Sequence, residues 1–149
     1  MHRTRIALTL ALTASLALAA TAGARPGTVH HYRSQIESIT LWGANGYPNV
    51  GGIAELVGTV DLGSMGSGAL VDHIKITGHP SSTVFAFRGT EVDYLTRGSV
   101  RSTFSGTSTV RPDGSQVSHA TGKFSGGTGI YRGASGKYVY EGFVPAGST

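Results

Sequence analysis

The chain has 149 residues, with 12 Lys and Arg against 8 Asp and Glu and with no cysteine. The absence of cysteine excludes a disulfide framework and a thiolate zinc site. The formal net charge of +4 falls to +2 (10 − 8) if a leader containing Arg3 and Arg5 is removed. A surplus of that size does not indicate a nucleic acid or an anionic membrane as partner.

Residues 1–24 have the pattern of a secretory signal peptide. Arg3 and Arg5 form a positive start, an uncharged apolar run follows, and Ala22-Gly23-Ala24 supplies small residues for cleavage. The apolar run is too short and too poorly flanked for a spanning helix. We therefore expect a secreted or periplasmic protein, without membrane association after cleavage. The remaining 125 residues (149 − 24) have the length of a single domain. We expect a flexible arm over residues 25–34 and one β-domain over residues 35–149.

The remaining chain has the pattern of an all-β domain. Short runs of β-forming residues alternate with Gly, Pro, Asn and Ser, and no apolar repeat at helical spacing is present. Pro112 and Asp113-Gly114 predict the clearest hairpin turn. The predicted strands are Gln35 to Trp42, Ile53 to Leu62, Ala69 to Thr77, Thr83 to Arg88, Glu91 to Thr96, Ser99 to Val110, Gln116 to Phe124 and Lys137 to Val144. Eight antiparallel strands in a meander predict a small β-barrel whose interior could hold one small ligand.

Residues 126–136, GGTGIYRGASG, form the most specific stretch of the chain. Five of these eleven residues are glycine, which reaches positive φ without a steric penalty, so the run predicts a tight corner between two strands. At least one of Gly127, Gly129 and Gly136 should have positive φ. A phosphate-binding loop is the alternative, but the run leads into a predicted strand and no Lys-Ser or Lys-Thr opens a helix after it.

The same run resembles the G-G-[TA]-G-x-[FY]-x-G-A-x-G signature of allene oxide cyclases, plant dirigent proteins and their bacterial relatives. The resemblance extends from Phe85 to Gly142, whereas the N-terminal half is similar only in strand rhythm. It implies an eight-stranded antiparallel barrel of the allene oxide cyclase/dirigent type, commonly trimeric, that confines an apolar or phenolic molecule without a metal or organic cofactor. The catalytic residues of that family lie outside the glycine motif, so none is transferred to this chain.

Period-two alternation predicts two candidate catalytic acids, Glu37 and Asp72. Both share a strand face with apolar residues: Ile39 and Leu41 beside Glu37, and Leu70, Ile74 and Ile76 beside Asp72. A carboxylate on an apolar face is costly unless it is paired or protonated, and its burial would raise its pKa. The alternative is that each lies near a strand end, where solvent or an arginine satisfies it.

Four residues are candidates for ligand binding: Tyr138, Tyr140, Arg88 and Trp42. The two tyrosines fall on one face of the last strand and could donate hydrogen bonds to a carbonyl or ether oxygen of an apolar guest. For all four, ordinary strand packing is the alternative. The histidines form no cluster with metal-ligand spacing, so no metal is predicted. Ser-His-Asp catalysis is not indicated either, because a G-x-S-x-G elbow is missing.

Three functions are compatible with these patterns. The first is a barrel that binds a small apolar or phenolic molecule, the second a cyclase or isomerase, and the third a structural or interaction domain. A cavity with an ionisable group inside it would separate the first two from the third. Binding is favoured because no acid-base constellation is compelling in the sequence and because a fold alone does not define a function. We also expect a homo-oligomer, and the resemblance implies a trimer.

Overall fold

The computed structural model describes residues 5–6, 10–17, 29–42 and 49–147. In these ranges the regular elements are nine strands and two short 3-10 turns. The strands are β1 (Arg5–Ile6), β2 (Leu10–Ala17), β3 (Val29–Trp42), β4 (Ile53–Asp61), β5 (Ser67–Gly78), β6 (Val84–Leu95), β7 (Gly98–Val110), β8 (Gln116–Gly127) and β9 (Gly136–Val144), and the 3-10 turns are Gly63–Met65 and Gly129–Tyr131. The prediction of an all-β fold is confirmed. No helix in the described ranges has the length and apolar character needed to cross a membrane.

Seven antiparallel strands, β3 to β9, form a meander that curls into a half-barrel. Each strand pairs with the next one along the chain, so β3 and β9 are the first and last strands of the meander. Strand β2 pairs with both of them, and β1 pairs with β3. Both short strands belong to the predicted leader. Its removal remains a prediction, and the predicted cleavage region, 22–26, lies outside the described residues.

The prediction of eight strands between residue 35 and residue 144 is wrong, because two of them are one strand. Thr83 to Arg88 and Glu91 to Thr96 merge into β6, within which Gly89 pairs with Ile74 on one side and Phe104 on the other. A Cβ atom at Gly89 would lie 2.4 Å from the Phe104 ring. This glycine therefore makes room for an aromatic ring and does not end the strand.

The first strand of the meander starts earlier than predicted. It begins at Val29, so residues 29–34 of the predicted flexible arm are paired with β4 or with β2. Tyr32 and Ser34 are buried, whereas Arg33 and Gln35 are exposed. This alternation shows that the strand already has an inner and an outer face before residue 35.

Two groups of apolar side chains fill the concave side of the half-barrel, which we call the inner face. One contains Leu56, Val60, Leu70, Leu95, Val100, Phe124, Tyr131 and Tyr138, and the other contains Ile76, Phe85, Phe87 and Ala120. Along β6 the two groups are separated by Gly89, Glu91 and Asp93, which fall on the same face by period-two alternation. The core is thus interrupted by acidic residues at its middle.

The glycine-rich run forms the predicted corner. It contains the 3-10 turn Gly129–Tyr131 between β8 and β9. Gly129 has φ of 58° and Gly136 has φ of 153°, which confirms the prediction of positive φ in this stretch. The buried Tyr131 donates a hydrogen bond from its hydroxyl to the carbonyl of Met65, so the corner is tied to the β4–β5 connection. The contacts in this stretch are those of a structural corner.

The hairpin between β7 and β8 is also built as predicted. Gly114 has φ of 85°, and Asp113 Oδ1 accepts hydrogen bonds from the Ser115 backbone N–H (2.9 Å) and hydroxyl (2.7 Å). Local turn chemistry is sufficient to form this connection.

Candidate functional site

Three carboxyl groups lie together on the inner face. Asp72 of β5 stands directly opposite Glu91 of β6, and Asp93 follows two residues later on the same face of β6. Asp93 is 2 % exposed and Asp72 is 7 % exposed. The strands place them there because β5 and β6 pair without a register shift across this region. We call Asp72, Glu91 and Asp93 the acid cluster.

The members of the acid cluster are hydrogen-bonded to one another through Glu91, which contacts both aspartates. Two oxygens are left over. Asp72 Oδ1 and Asp93 Oδ1 are buried without a hydrogen-bond partner among the described residues. Buried polar atoms in folded proteins nearly always have a partner, so two neighbouring exceptions indicate a place where something else binds.

Burial dominates the ionisation of all three groups. It raises the pKa of Asp72 to about 7, against an opposing hydrogen bond from Glu91 and with a further rise from the charge of Asp93. Burial, followed by the charge of Glu91, raises the pKa of Asp93 to about 9. Burial and the charge of Asp72 raise the pKa of Glu91 well above its usual range. No basic side chain of the described residues contributes to these shifts, so no positive charge offsets the effect of burial.

An aromatic wall faces the acid cluster from β3, β8 and β9, and it consists of Tyr32, Phe124 and Tyr138. The ring centroids of Tyr32 and Tyr138 are 6.3 Å apart in an edge-to-face arrangement, and those of Phe124 and Tyr138 are 5.3 Å apart. Burial raises the pKa of both tyrosines, and the charge of Glu91 raises them further. Phe124 pairs with Ser102, which itself pairs with Glu91, so the wall adjoins the acid cluster.

Tyr138 reaches across β8 because a glycine lies beneath its ring. Gly122 pairs with Tyr138, and a Cβ atom at Gly122 would lie 2.2 Å from the Tyr138 Cζ. The Tyr138 hydroxyl thereby shares a 2.7 Å hydrogen bond with Ser102 Oγ of β7. Since Ser102 pairs with Glu91, this hydroxyl is held beside the acid cluster.

The structure brings three of the six predicted site residues to the inner face and leaves two outside. Asp72 and Tyr138 are buried there, and Tyr140 is half-buried on the same face of β9. Glu37 is exposed, because it is the extra residue of a β-bulge between Ile36 and Ser38 that breaks the alternation.

Arg88 is exposed on the outer face of β6, between inward-facing Phe87 and Gly89. It therefore does not join the acid cluster. The backbone of Trp42 belongs to β3, but its side chain lies outside the described residues.

Sequence reasoning missed Glu91, Asp93, Ser102 and Tyr32. The signal for the first two was present, since alternation along an unbroken β6 places Phe85, Phe87, Glu91, Asp93 and Leu95 on one face. It is hidden by the predicted break between Arg88 and Glu91, which divides this face between two strands. Ser102 and Tyr32 carry no comparable local signal, because their role depends on strands that are distant in sequence.

A second concave region differs from the acid cluster in its exposure. It is an open groove of about 600 Å³ along β7, β8 and β9. Its lining includes Lys123 and Lys137, which are exposed and directly opposite each other. Solvent satisfies such groups, whereas the acid cluster has buried oxygens that solvent does not satisfy. Within the described ranges, no group of three or more His, Cys, Asp or Glu residues is arranged to hold a metal ion.

Comparison of the chain with protein-family models, with curated protein sequences and with solved structures gives no match. The fold class stated above therefore follows from the structure of this chain itself, and the resemblance to allene oxide cyclases and dirigent proteins stays a prediction from the sequence. The site must be interpreted from its own chemistry.

Proposed function

We propose that this is an exported protein that binds a small apolar or phenolic molecule on the inner face of its half-barrel. The observation that carries the proposal is the acid cluster with its two unpartnered oxygens, Asp72 Oδ1 and Asp93 Oδ1. Ligand sites are typically concave, mostly apolar and equipped with a few convergent polar groups. The inner face has these properties, since the acid cluster lies between two groups of apolar side chains.

The proposal includes completion of the sheet into an eight-stranded barrel of the allene oxide cyclase/dirigent type. Leu10–Ala17 pairs with both β3 and β9, so the opening between them has the width of one strand. Because this segment belongs to the predicted leader, the exported protein would need another strand in its place to close the barrel. A homo-oligomer is part of the same proposal. Its support is the exposure of Val57, Val139 and Phe143, which offer apolar surface to a second copy. Sedimentation velocity at high protein concentration tests it, and a monomer alone would contradict it.

A second candidate function is a cyclase or isomerase without a metal or organic cofactor. The pKa of Asp72, about 7, favours it, because a general acid or base works best when its pKa is near the operating pH. Confinement between the acid cluster and the aromatic wall would supply orientation. A purely structural role is the weakest of the three, since it leaves two buried oxygens without compensation.

Calorimetric titration of the purified protein with 4-propylphenol tests the binding proposal. We expect saturable binding to the wild-type protein and a roughly tenfold weaker affinity in Asp93→Ala, which removes the acceptor oxygen, because a lost hydrogen bond to a charged or strongly polar group is worth about 1.4 kcal/mol. Glu141→Ala is the matched control, since it removes an exposed carboxylate of β9. Absence of saturable binding, or equal losses in both variants, would contradict the proposal.

Native mass spectrometry of the protein purified from its own source distinguishes binding from turnover. A retained molecule of the same mass before and after prolonged incubation supports binding. Its conversion to an isomer, detected by chromatography of the released molecule, supports the second candidate. Loss of that conversion in Asp72→Asn, together with retention of the molecule, would assign the chemical step to Asp72.

A further inference from the structure

The hydrogen bonds of the acid cluster have a direction. The Glu91 contact favours the ionised form of Asp72, which means that Asp72 accepts and Glu91 donates. The Asp93 contact in turn favours the ionised form of Glu91, so Asp93 donates to Glu91. The acidic protons of Asp93 and Glu91 are therefore both used inside the cluster.

The direction of these hydrogen bonds determines which kind of partner the two free oxygens require. Asp72 Oδ1 belongs to the carboxylate that receives the Glu91 proton, and Asp93 Oδ1 belongs to a carboxyl group that has already given its proton away. Both are acceptors, and both are buried without a donor among the described residues. A ligand that only accepts hydrogen bonds, such as a ketone or an ether, would leave them unsatisfied.

The negative charge of the cluster also lacks a counter-charge in the part of the chain that is described. The neighbouring basic residues on β5 and β6, His73, Lys75 and Arg88, are exposed on the opposite face of the sheet. The titratable groups that face the cluster from other strands are Tyr32 of β3 and Tyr138 and Tyr140 of β9. None of them is cationic, and a buried charge without a partner is costly.

The wall opposite the cluster suits a cation. The ring centroid of Tyr138 lies 6.3 Å from that of Tyr32 and 5.3 Å from that of Phe124. Aromatic faces attract ammonium groups, most strongly where water is excluded. The Tyr138 hydroxyl is engaged with Ser102.

We propose that the molecule bound on the inner face is a small organic amine, held as its ammonium ion, whose N–H groups donate to Asp72 Oδ1 and Asp93 Oδ1 while its apolar body packs against the aromatic wall. This inference rests on the proposed binding function and specifies the head group of the ligand. An ammonium ion offers several donors together with a positive charge. A phenol or alcohol offers one donor and no charge, so it leaves one acceptor and the carboxylate uncompensated.

The proposal predicts how binding depends on pH. The ammonium ion requires an ionised Asp72, so its affinity rises as the pH increases from 5.5 to 8 and its binding below neutral pH releases a proton. A neutral ligand with the same body has no such requirement, and its affinity changes little over this range.

Calorimetric titration of the full protein with 4-phenylbutylamine and with 4-phenylbutan-1-ol measures the effect of the head group, because the two molecules share one carbon skeleton. We expect the amine to bind at least about tenfold more tightly than the alcohol at pH 8, as for a charge-assisted contact. This advantage, the ratio of the affinity for the amine to that for the alcohol, should be smaller at pH 5.5. In Asp72→Asn the advantage disappears while the alcohol still binds, and in the control Glu141→Gln it is kept.

Each other outcome overturns the inference. Equal affinities for amine and alcohol in the wild-type protein contradict the ammonium head group but leave the binding function intact. Failure of both molecules and of 4-propylphenol to bind contradicts both proposals. An amine advantage that survives in Asp72→Asn, or that is lost in Glu141→Gln, places the cation elsewhere. If Asp72→Asn does not fold, the amine-to-alcohol ratio and its pH dependence in the wild-type protein still decide the question.

Discussion

Carboxyl groups on the two faces of one sheet have opposite environments. On the outer face, Glu55 lies 3.3 Å from His73 Nδ1, and Glu141 lies 3.6 Å from His119 Nδ1, with all four side chains accessible to solvent. On the inner face, Asp72 is adjacent in sequence to His73 but is 7 % exposed. Glu55, the partner of His73, is accessible to solvent, whereas burial raises the pKa of Asp72, one residue before His73, to about 7. Whether a residue occupies an odd or an even position in its strand therefore decides whether an acidic side chain faces solvent or the interior.

The largest expected difference between the faces is in the pH dependence of folding. Asp72 and Asp93 have an ordinary pKa of 3.8 and folded-state pKa values of about 7 and about 9, so the folded state binds their protons more tightly than the unfolded state. Stability is therefore highest at acidic pH. It falls as the pH rises from about 4, with the Asp72 contribution lost by pH 7 and that of Asp93 by pH 9. The slope is about 1.4 kcal/mol per pH unit for each group.

Urea denaturation at intervals between pH 4 and pH 9 measures this slope. In Asp93→Asn, whose side chain cannot ionise, the curve should be flatter than in the wild-type protein up to pH 9. Glu141→Gln should have the wild-type slope, because its carboxylate is exposed. A free energy of unfolding that rises across this interval in the wild-type protein would show that the inner acids are not the dominant titrating groups.

Replacing a glycine with alanine tests how closely side chains are packed around it at two places in the sheet. In Gly122→Ala the new methyl group would collide with the Tyr138 ring, so we expect a loss of about 1–3 kcal/mol in the free energy of unfolding, as for other overpacked sites. Gly78→Ala is the matched control, because a Cβ atom at Gly78 meets nothing within 4 Å. Its effect should be within about 0.5 kcal/mol. Equal effects of the two replacements would mean that Tyr138 does not lie over β8.

Tyrosine hydroxyls provide a finer comparison. Tyr138→Phe removes the partner of the buried Ser102 Oγ, so we expect a loss of about 1–2 kcal/mol in stability. Tyr94→Phe makes the same change at a residue that is 56 % exposed and should change stability by less than about 0.5 kcal/mol. Chemical denaturation of both variants at pH 5, where the acid cluster is protonated, checks the difference. A smaller loss for Tyr138→Phe than for Tyr94→Phe would contradict the buried hydrogen bond.

The smallest effect is expected on the outer face. Glu55→Gln removes a solvent-accessible contact with His73 and should cost less than about 1 kcal/mol. The cost should shrink further in high salt, because screening weakens exposed pairs. Thermal denaturation at two salt concentrations measures it. A loss as large as that of an inner-face variant would remove the distinction between the faces.

How much of the site could be predicted depended on the continuity of each strand. Alternation identified Asp72 because β5 is uninterrupted around it and pairs in register with β6. The same reasoning placed Glu37 on an apolar face, but the bulge at Ile36/Ser38 turns that residue outward. It missed Glu91 and Asp93 because the predicted strands break between Arg88 and Glu91, where β6 is continuous. A bulge and a glycine beneath an aromatic ring both depend on a neighbouring strand, and neither is visible in a single segment.

The sequence by itself determined the β-rich composition, the rhythm of strands and turns, the Asp113-Gly114 hairpin and the glycine corner at 126–136, since each depends on residues that are close along the chain. Only the tertiary structure decided that seven strands curl into a half-barrel and that Asp72, Glu91 and Asp93 meet beneath an aromatic wall. Backbone preferences are local, whereas curvature, register and burial arise from pairing between distant strands. The ionisation of the acid cluster follows from that burial, so the chemistry of the site exists only in the folded chain.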